Sequence, residues 1–66
     1  MENTGVGGTI RALRKTKNIS QAELGRQLGY SARTVSDWEN ESTEPNISAI
    51  RALVSFFEIT YDEFFG

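Results

Sequence analysis

The sequence predicts an all-α fold of five short helices. Three observations carry that expectation: apolar residues recur at helical spacing, Ser, Thr and Asn stand where several of these stretches begin, and no segment alternates apolar and polar residues long enough for a strand. With 66 residues, the chain is expected to form one small domain over residues 1–66. A domain of this size buries only about 60% of the surface its unfolded chain exposes. It has no Cys and no His, so neither disulfides nor a His/Cys metal site can staple it. Helix packing or self-association must do so, and neither metal nor cofactor is expected.

Helix 1 is expected from Val6, Ile10 and Leu13, between the candidate cap Thr4 and Asn18, a residue type that tolerates the left-handed geometry of a helix end. Gly7 and Gly8 weaken its first turn, each by up to about 1 kcal/mol relative to Ala. For helix 2, Ser20 and Glu23 have the spacing of a capping box, Leu24 and Leu28 supply the stripe, and Gly29 ends it. Ser31 is the next N-cap, and Val35 with Trp38 marks the buried side of a third helix reaching about Asn40. After the loop "NESTEPN", Pro45 and Asn46 end the turn and cap helix 4, whose apolar positions are Ile47, Ile50, Leu53, Val54 and Phe57. Thr60 and Glu63 repeat the capping box before "YDEFF", the fifth helix.

The formal charge of −2 alone argues against a polyanionic partner. The total hides an asymmetry: residues 1–36 carry six Arg and Lys against two Glu, whereas residues 37–66 carry Arg51 against seven carboxylates. An enzyme is not expected, because His, Cys and a phosphate-cradling glycine loop are all missing. Asp62 and Glu63 read instead as dipole-favoured charge in the first turn of helix 5. The opening "MENTGVGG" is not a secretory signal, and no run approaches the roughly 18 apolar residues of a membrane span. A soluble, cytoplasmic protein with no membrane partner is expected.

At about 100° per residue, Arg33, Ser36, Asp37 and Asn40 fall together opposite Val35 and Trp38. A helix braced by another across a Gly-containing turn is a helix-turn-helix, here over residues of about 20–40, and offers an edge that fits the roughly 12 Å major groove. Arg33 suits a bidentate pair with guanine, Ala32 a thymine methyl, and Asp37 either cytosine N4 or an internal bridge to Arg33 one turn away. Glu39 falls near the buried side, where an unpaired carboxylate costs several kcal/mol. A cation must meet it, and Arg14 flanks the stripe of helix 1 one turn beyond Ile10.

The segment "SQAELGRQLGYSARTVSDWENESTEP", followed by "ISAIRALVSFFEITYDEFF", resembles the Cro/C1-type (XRE) helix-turn-helix family over residues of about 5–65. The resemblance rests on Ser20, Gln21 and Leu24, on Leu28, Gly29 and Ser31, on "VSDWE" at Val35–Glu39, on Pro45 and on the closing "TYDEF". It implies a lambda-repressor-like five-helix fold that binds double-stranded DNA. It also implies base contacts from Ser31, Ala32, Arg33, Ser36 and Asp37, and phosphate contacts from Gln21 and Asn40. Arg14 and Glu39 are implied to be a structural ion pair. The loop after helix 3, which often carries Lys or Arg in similar proteins, here has Glu41 and Glu44 around Ser42 and Thr43. Those two polar residues and backbone N–H groups are expected to meet phosphates instead. Gly25, where similar proteins often have Ala, is expected to let helix 2 pack closely on its neighbour.

The stretch "VSFFEITYDEFFG" holds more apolar surface than one face of a small domain needs. Phe57, Ile59 and Phe64 are expected in the core, and Phe56, Tyr61 and Phe65 in a homodimer interface within residues of about 54–66. The expected function is a transcriptional regulator, specifically a repressor that occupies a palindromic operator as a homodimer. Its control is expected to come from protein concentration, proteolysis or a second protein. The alternative is an antitoxin or other binding module that engages a partner protein through the acidic, aromatic C-terminal half.

Overall fold

A computed structural model describes residues 5–66, which form five helices and no strand. These are α1 (Gly7–Thr16), α2 (Gln21–Leu28), α3 (Ala32–Glu39), α4 (Ile47–Phe57) and α5 (Tyr61–Phe65). Ser20, Ser31, Asn46 and Thr60 each accept a hydrogen bond from the backbone N–H three residues on, which starts α2, α3, α4 and α5. Two expectations about helix starts change. The α1 helix begins behind Val6, which lends no side-chain cap, and Thr4 lies outside the described residues. At α2 only half of the capping box forms: Ser20 Oγ accepts from the Glu23 N–H, but the Glu23 carboxylate is taken by Arg26 and Gln27. The Thr60–Glu63 box closes in both directions.

The first four helices end alike. Asn18, Gly29, Glu41 and Glu58 adopt left-handed φ values of 57°, 88°, 64° and 58°. The N–H of the following residue reaches back over the last turn, from Ile19 to Arg14, Tyr30 to Gly25, Ser42 to Asp37 and Ile59 to Val54. These bonds satisfy carbonyls that a helix end leaves orphaned. Gly29 adopts this geometry without strain, whereas Glu41 and Glu58 each incur a steric cost of about 1–2 kcal/mol.

One core joins all five helices: Ile10 from α1, Leu24 from α2, Val35 and Trp38 from α3, Ala49, Leu53, Val54 and Phe57 from α4, and Phe64 from α5. The Trp38 ring meets Tyr30 edge to face at 5.0 Å, which fastens α3 to the turn before it. Ile47 is a correction, since it stands 68% exposed at the first position of α4 and the small Ala49 is buried instead. The helical period admits both residues, and the approach of the neighbouring helices selects between them.

The pair α2 and α3 makes the most extensive packing in the fold. A Cβ added at Gly25 lies 2.5 Å from the Tyr30 carbonyl oxygen, so the close approach at this position is to the connecting turn. Gly7, which costs α1 helix propensity, sits where a Cβ meets the Trp38 and Glu39 carbonyls at 2.6 Å, so its absent side chain seats α1 on the end of α3.

Replacing Gly25 by Ala is therefore expected to destabilise the fold by about 1–3 kcal/mol, seen as a lower melting temperature; an unchanged value means the turn has room to give. Glu58→Gly relieves the left-handed strain at an exposed site, and a gain of about 0.5–1 kcal/mol is expected. Thermal melts should register it as a rise of roughly 4 °C.

Candidate nucleic-acid interface

Residues predicted from the sequence to meet bases occupy the outer side of α3. Ser31, Ala32 and Arg33 are exposed at its start, Ser36 and Asp37 are half-buried, and Asn40 is exposed at its end. The Ser31 hydroxyl already caps the helix, accepting from the Thr34 N–H at 3.1 Å and lying 3.0 Å from the Thr34 hydroxyl. Arg33 extends into solvent with its side chain 84% exposed, and its Nε donates to Asp37 Oδ1 at 3.3 Å. That bond engages one edge of the guanidinium and leaves the terminal nitrogens as the fork that matches guanine O6 and N7.

Behind this face lies the Glu39 carboxylate, whose side chain is wholly buried. Arg14 donates to both of its oxygens, from Nε to Oε2 at 2.7 Å and from a terminal nitrogen to Oε1 at 3.0 Å. The other terminal nitrogen of Arg14 donates to the Ile19 carbonyl at 2.9 Å, which ties the pair to the α1–α2 connection. Gln21 Nε2 donates to Glu39 Oε1 at 3.1 Å, and Arg11 Nε to the same oxygen at 3.3 Å. Burial alone raises the Glu39 pKa, but the hydrogen bonds from Arg14, Gln21 and Arg11 and the charge of Arg14 hold it below the usual carboxylate value. The Glu39 hydrogen bond raises the Arg14 pKa further above its already high value, against a smaller opposing effect of burial.

Arg11 is a member of this cluster that reading the sequence missed. It stands three residues before Arg14 and so shares its face of α1, a signal the spacing contained. A terminal nitrogen of Arg11 also donates to Asn40 Oδ1 at 3.3 Å, and Asn40 Nδ2 donates to Ser36 Oγ at 3.4 Å. Asn40 and Gln21, both expected to meet phosphates, are thus held on the cluster from two different helices.

The loop after α3 departs from one expectation. The backbone N–H groups of Glu41, Ser42 and Thr43, expected to replace cations there, donate to the Trp38 and Asp37 carbonyls and close the helix. Closing a helix C-terminus consumes these donors, which leaves the exposed side chains of Ser42 and Thr43 as the loop's polar offer.

On another part of the surface, Tyr61 and Phe65 are 48% and 59% exposed, while Phe56 is half-buried. Phe56 packs edge to face on Phe57 at 5.1 Å, and Lys17 Nζ sits 5.4 Å from its ring centroid. No helix among the described residues is long and apolar enough to cross a membrane.

Comparison with known proteins places this geometry. A helix-turn-helix family model matches residues 10–64. The chain is 40% identical over 57 residues to Repressor protein C2 of Salmonella phage P22 and 35% identical over 54 residues to the HTH-type transcriptional activator BcrR of Enterococcus faecalis. These alignments cover 86% and 82% of this chain but only 26% of either relative, so the chain spans about a quarter of their length. It is also 30% identical over 61 residues to Antitoxin PezA of Streptococcus pneumoniae, covering 92% of this chain and 39% of that protein. The crystal structure of the P22 c2 repressor in complex with a synthetic operator superposes with a TM-score of 0.85, at 37% identity and 94% coverage of both chains. The solution structure of the DNA-binding domain of that repressor gives the same TM-score at 38% identity, covering 97% of this chain and 84% of that one.

Because the folded pKa of Glu39 lies below its unfolded value of about 4.3, its contribution to stability is present above that pH and is lost as pH falls through the folded pKa. Glu39→Gln is expected to cost about 3 kcal/mol at neutral pH and to flatten the decline in melting temperature below about pH 4. Melts of both proteins between neutral and acid pH check this. Identical curves for the two would show that the carboxylate is solvated.

Proposed function

The chain belongs to the helix-turn-helix family, and from that premise we propose that it is a sequence-specific, double-stranded DNA-binding transcriptional regulator. The observation that carries this reading is the exposed outer side of α3, whose base-competent Arg33 stands on a helix held from behind by the buried Glu39 cluster. A mobile arginine reaches any phosphate. One mounted on a fixed helix is restricted to a register along the groove, which is what sequence reading requires.

In this reading Arg33 pairs with guanine, Ala32 meets a thymine methyl, and Ser31, Ser36 and Asp37 complete the base-facing set. Gln21, Asn40, Ser42 and Thr43 meet the phosphates, and Arg14 with Glu39 holds the architecture. The protein binds rather than catalyses, acts in the cytoplasm, and represses by occupying a promoter. The similarity to the P22 repressor in both sequence and structure favours this direction over the activation that the name of BcrR carries.

We further propose a homodimer on a palindromic operator. Tyr61 and Phe65 are large apolar side chains left exposed near the C-terminal end of the described fold, and a two-fold axis beside them covers both copies. Two such domains read half-sites about 34 Å apart and double the phosphate contacts. A second reading, partner binding as an antitoxin through the acidic C-terminal half, is favoured by the similarity to PezA over 92% of the chain.

Selection from a random double-stranded DNA pool at moderate salt tests the main reading, which expects an enriched palindrome with half-sites one turn apart. No enrichment from folded protein shifts the assignment to partner binding. Within the enriched site, Arg33→Ala is expected to lose about 1–3 kcal/mol of discrimination at one base pair, whereas Gln21→Ala weakens all sequences alike. An Arg33→Ala protein that selects the same site would remove Arg33 as a reader.

A further inference from the structure

Much of the polar chemistry on the outer side of α3 is already engaged. The Ser31 hydroxyl caps the helix, and Ser36 Oγ accepts from Asn40. Arg33 and Asp37 are the two charged side chains there, joined from Arg33 Nε to Asp37 Oδ1 at 3.3 Å. That bond uses one donor of the guanidinium and one oxygen of the carboxylate. The terminal nitrogens of Arg33 and Asp37 Oδ2 keep their capacity for a further partner. An arginine and an aspartate together add no net charge, so this pair contributes little to attraction for phosphates in general. Its chemistry is suited instead to choosing among sequences.

We propose that Asp37 is a specificity-determining residue, and that Arg33 and Asp37 read two neighbouring base pairs as one unit: Arg33 a guanine, and Asp37 the amino group of cytosine or adenine beside it. A carboxylate only accepts hydrogen bonds. In the major groove only the amino groups of cytosine and adenine donate, whereas guanine and thymine present acceptors that repel a carboxylate. Every base pair carries one such amino group, on one strand or the other, so Asp37 reads which way round the pair lies. Groups in contact at 3.3 Å are spaced much as stacked base pairs are, about 3.4 Å apart, so the free donors and the free acceptor address adjacent pairs. The side chain of Asp37 is 29% exposed and that of Arg33 84%, so the more enclosed carboxylate anchors the extended guanidinium and turns its terminal nitrogens outward. Pairing with Arg33 also offsets the repulsion that a lone carboxylate meets beside phosphates.

This inference rests on the DNA-binding reading and fails separately from it. A site is selected from a random double-stranded pool with wild type, and the guanine that depends on Arg33 is located in it with Arg33→Ala. Wild type, Asp37→Ala and Asp37→Asn are then titrated by fluorescence anisotropy against that site, against versions altered at each pair beside the guanine, and against a random duplex. At one neighbouring pair, inversion moves the amino group to the other strand, and wild type is expected to lose about fivefold or more in affinity. Exchanging cytosine for adenine on the same strand keeps an amino group in place and is expected to cost less; the direction of that smaller difference tells which of the two bases Asp37 prefers. Asp37→Ala is expected to bind the site and its inverted form alike, and to bind the random duplex more tightly than wild type, because a negative charge is gone. Asp37→Asn keeps the shape and adds a donor, so it too is expected to tolerate the inversion. A wild type indifferent to inversion at both neighbours, or variants that show the same loss as wild type, makes Asp37 only a counter-charge to Arg33 and overturns the proposal. Wild type that enriches no site overturns the DNA-binding reading, and this inference with it.

Discussion

Everything in this domain depends on satisfying one buried carboxylate. Glu39 ends α3 with its side chain wholly buried, where an unpaired charge costs several kcal/mol. Five helices of 5 to 11 residues cannot absorb that cost unless the partners arrive together. They come from separate elements: Arg14 and Arg11 from α1 and Gln21 from α2. Meeting the hydrogen-bonding needs of Glu39 therefore sets where α1 and α2 lie against α3. Removing any one partner would leave a buried charge partly unmet, which is what ties the three elements together.

Close packing at two glycines works with this electrostatic constraint. The turn between α2 and α3 lies so near Gly25 that a methyl group does not fit, and α1 meets the end of α3 at Gly7 in the same way. Both glycines cost helix propensity. Both also let backbone approach backbone, which turns short helices into a rigid corner. The left-handed Glu41 and Glu58 show the same logic of local cost held in place by its surroundings. At Glu41 the strained residue lets the N–H of Ser42 reach the Asp37 carbonyl and end α3.

The division of charge along the chain follows the order of its helices. Along the chain the basic residues fall mainly in α1, α2 and the start of α3, and the acidic ones in the rest of α3, the loop after it and the C-terminal half. The net charge of a protein therefore says little about any one face, since an ion within a Debye length responds to nearby charges more than to the total.

Caps and apolar periodicity were enough to place α2 to α5, because Ser20, Ser31, Asn46 and Thr60 act within three residues of themselves and no distant partner is needed, and periodicity alone placed α1. The demand that Glu39 meet a cation was also legible, from its position on the buried side of α3 together with the cost of burying it alone. What the sequence could not reveal were choices between locally equivalent options. Ile47 and Ala49 both fit the period of α4, and only the packed neighbours turn Ile47 outward. Glu23 has the spacing to complete a capping box, yet Arg26 and Gln27 take its carboxylate. Arg11 and Asn40 are 29 residues apart, and no local pattern joins them. The sequence by itself determined which segments are helical, where α1 and α2 stop and which charge must be paired, since these follow from short-range geometry and from the cost of an isolated buried charge. Only the tertiary structure decided which side chains share that charge and which apolar residues stay outside, because those outcomes depend on which residues distant in sequence the packed helices bring into contact.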